Sequence, residues 1–363
     1  MTVPGFVNAH THVYSGLVPF GMPPPAETPG NFREILERVW WRLDRALDPR
    51  ALRAAARWYV AEALLHGTTT LIDHHESPRF IEGSLDVIAD ACHELGMRAL
   101  ICYGATERNA GREEARRGLA ECARFIGDNQ RTHVRGLIGL HASFTVSHET
   151  LEEAAALCAD LGVSSHVHVA EDLCDVEDAR RRGADGPLGR MFMSGALPPG
   201  SILAHGVHLD LAQVRDADAN RLWFVQNPRS NRGNRVGYPT SLKASGHVAL
   251  GTDGYPSDLR EELNALCELA AQFEPGTRTG ALEARLDAGR ELAQEHFGEV
   301  ELASDVVEFA RAVPGEANPP VVRVVVAGHA VVREGVLLRG DLAEIRAHAC
   351  EEAARLWTRM EVP

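Results

Sequence analysis

The chain has 363 residues, 45% of them hydrophobic, enough for one large domain with an appendage. With 51 acidic against 37 basic residues the net charge is −14, which argues against nucleic acid or an anionic membrane as partner and favours a small molecule. Seven cysteines show no C-x-x-C spacing, the opening MTVPGFVNAH lacks a basic leader, and no apolar run approaches the ~20 residues of a membrane span, so a reduced, cytoplasmic protein is expected.

In chain order, apolar runs bounded by Gly, Pro or polar residues predict strands at 3–8, 68–74, 98–104, 134–141, 164–170, 201–206, 222–227 and 247–252. Helical patterns lie between them. Asp48-Pro49 and Ser77-Pro78 each place a capping side chain before a first-turn proline, and Gly67 closes the segment that starts at Asp48. Two further helices are expected at 257–272 and 280–296, then a β-hairpin turning near Gly328 with more strand after it, and a last helix from Asp341. Strand and helix alternating eight times predict a (β/α)8 TIM barrel. The expected division is a metal-dependent barrel over 1–300, a small and reduced C-terminal β appendage over 301–340, and a helix over 341–363 packing back on the barrel.

Five residues stand at the ends of these runs: His10 and His12 in PGFVNAHTH, His168 in SSHVHVAE, His205 in SILAHG and Asp253 in HVALGTDG. The carboxyl ends of barrel strands are where this architecture places its chemistry. His10 and His12 are two apart, so on a strand both rings face one side, here the lumen. Imidazole and carboxylate suit zinc, with iron(II) or manganese(II) as alternatives, and a catalytic site keeps one position open for water. Such an ion lowers the pKa of bound water from near 16 to about 7. Glu171 follows His168 by three residues, where it can take the water proton and pass it to a ring nitrogen. Asp253 can carry a second proton to the departing amine, and His205 can orient the attacking water.

The segments PGFVNAHTH, HGTTTLID, HVHVAE, LAHGVHL, QNPRSN and LGTDG, in this order, resemble the amidohydrolase superfamily, in its mononuclear cytosine/guanine deaminase and chlorohydrolase branch. VWWRLDRALD, LIDHHES and GLHASFTVS are most similar to the SsnA-like aminohydrolases. The resemblance implies that His10, His12, His168 and Asp253 bind the metal, that Glu171 is the proton shuttle, and that His205 touches the nucleophile or substrate. Lys243 is the only lysine, in SLKASG, so no lysine is available on a middle strand to bridge two metals and one ion per chain is expected. The activity implied is deamination of a small amino-substituted heterocycle by metal-activated water. The alternatives are a halide or ring-amide leaving group, or a non-catalytic metal-binding relative. A homodimer is also expected.

His141, His74 or His75, and Trp41 are the candidate substrate contacts. Trp40 and Trp41 are adjacent, so a regular helix directs only one of them at the pocket. His166 lies one layer deeper than His168 and reads as a supporting histidine, His208 as a packing residue, and Asn227, Ser230 and Asn231 as fixing the seventh-strand loop. Relatives in this branch carry a longer segment before the first metal histidines, whereas nine residues precede His10. The hairpin near 320–338 is therefore expected to lack partner strands and to expose alternate apolar side chains.

Overall fold

The computed structural model describes residues 1–311 and 318–360, so parts of the expected appendage and the last three residues of the expected closing helix lie outside the described residues. The strands in chain order are β1 (Thr2–Pro4), β2 (Phe6–Thr11), β3 (Thr68–His75), β4 (Arg98–Ala105), β5 (Val134–Gly136), β6 (Ile138–Ala142) and β7 (Ser165–Val169). They continue as β8 (Ile202–His205), β9 (Trp223–Gln226), β10 (Val248–Leu250), β11 (Val306–Phe309), β12 (Val321–Val326), β13 (His329–Arg333) and β14 (Val336–Leu337). Eight of them pair in parallel in the order β2-β3-β4-β6-β7-β8-β9-β10, with β5 beside β4. The ring closes where Thr11 bridges Asp253 in parallel, with Thr252 N and Asp253 N both donating to His10 O at 3.0 Å. This is the (β/α)8 barrel.

The closing seam is fastened by side chains. Asn8 Nδ2 donates to Thr252 Oγ1 at 2.7 Å and to Ser257 Oγ at 3.0 Å, and Asn8 Oδ1 accepts from Thr252 N at 3.1 Å. All of these groups are buried, so each bond removes a desolvation penalty as well as fixing register.

Helix boundaries follow their chemistry. Asp48 accepts from Ala51 N at 2.8 Å and Pro49 opens helix Pro49–Leu65. Ser77-Pro78 does not start a helix. Ser77 Oγ is already engaged by His75 Nε2 at 2.8 Å, and the helix begins at Ser84 (Ser84–Leu95). The expected strand at 134–141 is broken at Leu137 into β5 and β6. The two helices after β10 span Leu259–Phe273 and Thr279–Phe297.

The first apolar run serves two sheets, which differs from the single strand expected at 3–8. β1 pairs antiparallel with β11, and β2 opens the barrel. The appendage is a five-stranded sheet ordered β1-β11-β12-β13-β14. Its hairpin turns at Ala327 (φ 49°) and Gly328 (φ 79°), a left-handed pair matched to strand twist. The expected exposure does not occur: Val324, Val326, Val331 and Val332 are all buried, in the same apolar core as the barrel. β1 and β11 extend the sheet in its plane, and the barrel, through helix Pro49–Leu65 and β3, covers its face. A buried ion pair of Arg98, at the start of β4, with Asp305, just before β11, ties barrel to appendage. Helix Leu342–Met360 lies back on the barrel helices, with Trp357 Nε1 donating to Phe20 O at 3.0 Å and Arg57 clasping Glu344 at 2.9 Å. Among the described residues no helix is long and apolar enough to cross a membrane.

Candidate active site

His10 and His12 end β2, His168 lies in β7, His205 ends β8 and Asp253 follows β10, so all five converge at one mouth of the barrel. His10, His168, His205 and Asp253 offer ligand atoms that lie within 4.8 Å of one another. His12 Nε2 joins them, 2.9 Å from Asp253 Oδ1 and 3.2 Å from His168 Nε2. The outer nitrogens are fixed by the fold: His12 Nδ1–H donates to His74 O at 2.6 Å, His168 Nδ1–H to His141 O at 2.7 Å and His205 Nδ1–H to Asn231 Oδ1 at 2.8 Å. His10 Nδ1 shares a hydrogen with His166 Nε2 at 2.9 Å. Such outer contacts orient metal ligands. They leave the Nε2 lone pairs facing inward, and those of His10 and His205 are buried with no hydrogen-bond partner. Buried, unpaired imidazole nitrogens around a carboxylate fit a divalent cation.

Burial holds the His10 imidazolium down to about 3, so its ring is a neutral donor. Burial alone would raise Asp253, but the His10 and His12 rings, with Nε2 at 3.5 and 2.9 Å from Oδ1, hold it well below the usual carboxylate range. Ser230 Oγ donates to its other oxygen. His205 (φ 77°) and Asp253 (φ 53°) both adopt left-handed backbone, a strained conformation for side chains of this size.

Glu171 lies just past β7, with Oε2 3.6 Å from His205 Nε2 and Oε1 accepting from Asn234 Nδ2 at 3.1 Å. Burial pushes its carboxyl up to about 7, against the opposing pull of His205. It faces a cleft that His12, His168 and Asp253 also line. Aromatic walls come from Tyr14, Phe32, Trp40, Trp41 and Phe144, and among the described lining residues none is Lys or Arg.

Of the expected substrate contacts, His141 and Trp41 line this cleft. The Nδ1–H of His141 donates to Thr145 Oγ1 at 2.9 Å, and burial lowers the ring to about 3. His74 and His75 do not line the cleft. His74 packs against His10 and His168, donating from Nε2 to Leu140 O at 3.0 Å, and His75 turns away to Ser77. Both Trp40 and Trp41 reach the cleft, contrary to the expectation for a regular helix. The reason is a π-helical turn at Leu36–Trp40, in which Trp41 N–H reaches back five residues to Leu36 O. His166 supports His10 as expected, and Ser230 and Asn231 steer Asp253 and His205. Lys243 is exposed.

Sequence reasoning missed Asn234, and it missed a buried group of Asp44, Arg108 and Glu76 beside the cleft. Arg108 Nη2 bonds Asp44 Oδ2 at 2.8 Å and Glu76 Oε2 at 3.0 Å, with its guanidinium 4.8 Å from the Trp41 ring centre. The nearest signal was the uninterrupted Asp73-His74-His75-Glu76 run at the end of a strand.

Residues 1–291 match the model of the amidohydrolase family. The chain belongs to that family. It is 29% identical over 394 residues to a 5'-deoxyadenosine deaminase of Methanopyrus kandleri, covering 98% of this chain and 86% of the relative. It is 31% identical to an 8-oxoguanine deaminase of Pseudomonas aeruginosa over 71% of this chain and 60% of that one. Among solved structures, the zinc-bound adenosine deaminase of Xanthomonas campestris superposes with a TM-score of 0.83 at 21% identity, over 98% of this chain and 86% of that chain. A zinc-complexed atrazine chlorohydrolase of Arthrobacter aurescens gives 0.77 at 21% identity, over 97% and 88%. The chain is thus a hydrolase of the amidohydrolase family, and the two sequence relatives above are named as deaminases.

Proposed function

We propose that this amidohydrolase removes the amino group of a small purine-like heterocycle, with zinc held by His10, His12, His168 and Asp253. The observation that carries the reading is the position of Glu171, a carboxyl pushed up to about 7, between the histidine cluster and the open cleft. Its relatives include deaminases of 5'-deoxyadenosine and 8-oxoguanine. Zinc supplies water of lowered pKa, near 7, at neutral pH.

The protein's own groups do the rest. Glu171 accepts a proton from the attacking water and delivers it to the ring nitrogen beside the amino-bearing carbon. Asn234 steadies that carboxyl through Oε1, leaving Oε2 toward His205. His205, with Nδ1 anchored on Asn231, presents Nε2 where charge develops on the carbon. Asp253 takes the remaining water proton and passes it to the departing amine, so ammonia leaves and a carbonyl replaces it. His141 and Trp41 contact the ring, and described walls that carry carboxyl groups without lysine or arginine argue against an anionic substrate. Unpaired cysteines, six of seven off the exposed surface, support a reducing cytoplasmic setting.

The test is ammonia release by the zinc-loaded protein from a panel of aminopurines, their nucleosides, aminopterins and aminopyrimidines. Release of chloride from halogenated rings, or ring opening without ammonia, overturns the deaminase reading while leaving the metal site in place.

A further inference from the structure

Beside the catalytic cleft lies a second hollow of about 280 Å³, and Trp40 and Gly254 line both. Its other walls include Val18, Pro19, Tyr59 and Pro256, with Ser15 and Glu62 as its polar members. Ser15 Oγ is already committed, donating toward His12 O at 2.7 Å and Gly254 O at 2.9 Å. Gly254 directly follows Asp253, so the hollow starts one residue from the histidine cluster. A Cβ at position 254 would stand 3.2 Å from Trp40 Cη2, tighter than ordinary contact, so glycine lets the indole lie against the backbone. Trp40 also ends the π-helical turn Leu36–Trp40, an arrangement that regular helix packing does not require and that recurs at functional sites.

We propose that this second hollow is a substrate subsite: it takes an apolar alkyl or aryl substituent of the heterocycle whose ring occupies the catalytic cleft, and Trp40 is the partition that sets how bulky that substituent can be. The proposal rests on the deaminase reading above. Three observations point the same way. The hollow adjoins the cleft across two shared wall residues, its walls are mostly apolar, and the partition is a single indole packed on a glycine. An apolar group buried there gains about fourfold in binding per methylene.

The probes are adenine and its 9-methyl, 9-butyl and 9-benzyl derivatives, measured for kcat/KM of ammonia release and, separately, for affinity by calorimetry. The expected result is a rise of about fourfold per methylene from adenine to the butyl compound. Val18→Phe, which fills the hollow, should lower the butyl-to-adenine ratio at least tenfold. Trp40→Ala, which removes the partition, should raise the benzyl-to-adenine ratio. A flat series in the wild type, or ratios that neither variant moves, overturns the subsite. If none of the compounds releases ammonia, adenine is not the ring this cleft deaminates, the wider panel decides the deaminase reading, and the calorimetric series still decides the subsite.

Discussion

Replacing Glu171 by glutamine isolates proton transfer from everything else the residue does. Glutamine keeps the chain length and the acceptor oxygen that Asn234 reaches at 3.1 Å, so the local pairing survives. The second oxygen, 3.6 Å from His205 Nε2, becomes an amide that neither takes nor returns a proton. A carboxyl near 7 does both at neutral pH, since its two forms are then comparably populated. The expected loss in kcat/KM is about two to four orders of magnitude, equivalent to about 3–5 kcal/mol of transition-state stabilisation. Metal content should not change, because Glu171 is not among the four proposed ligands, His10, His12, His168 and Asp253. The assay is coupled ammonia release on the best substrate of the panel, with elemental analysis of the same preparation. Turnover within threefold of wild type would refute the shuttle, and loss of metal alongside activity would show that Glu171 acts through the ion.

Three further outcomes are expected. One equivalent of divalent metal per chain should be found by elemental analysis, falling by most of its amount in His168→Ala; two equivalents would contradict the mononuclear site. Asn8→Ala, which strips three hydrogen bonds from the closing seam, should lower unfolding free energy by about 1–3 kcal/mol in urea titrations, and an unchanged midpoint would mean that backbone pairing alone closes the barrel. Arg98→Ala leaves Asp305 buried and unpaired between barrel and appendage, so a loss of about 3–5 kcal/mol is expected in the same assay, with wild-type stability as the contrary result.

The barrel and its histidines were legible because their signal is local. Each ligand ends an apolar run, and alternation along β2 sends His10 and His12 to the same side. What escaped was set by partners distant in sequence. Nothing local tells Thr2–Pro4 to leave the barrel and pair with residues 306–308, because both sheets accept the same apolar pattern. Arg108 and Asp44 are 64 residues apart, and their pairing beside the cleft is a consequence of the closed ring. The Ser77-Pro78 signal failed because a nearby histidine competes for the hydroxyl. Trp40 and Trp41 were separated by assuming 3.6 residues per turn, which the π-helical turn does not obey.

The left-handed backbone at His205 and Asp253 has a bearing on engineering. Each such residue costs on the order of 1–3 kcal/mol, and glycine adopts the same conformation at little cost. Variant libraries sorted for heat resistance alone would therefore enrich substitutions at these two positions, and every winner there would have lost a group from the histidine cluster. Sorting must include an activity readout from the first round, or the most heat-resistant clones will be the ones whose histidine cluster is incomplete.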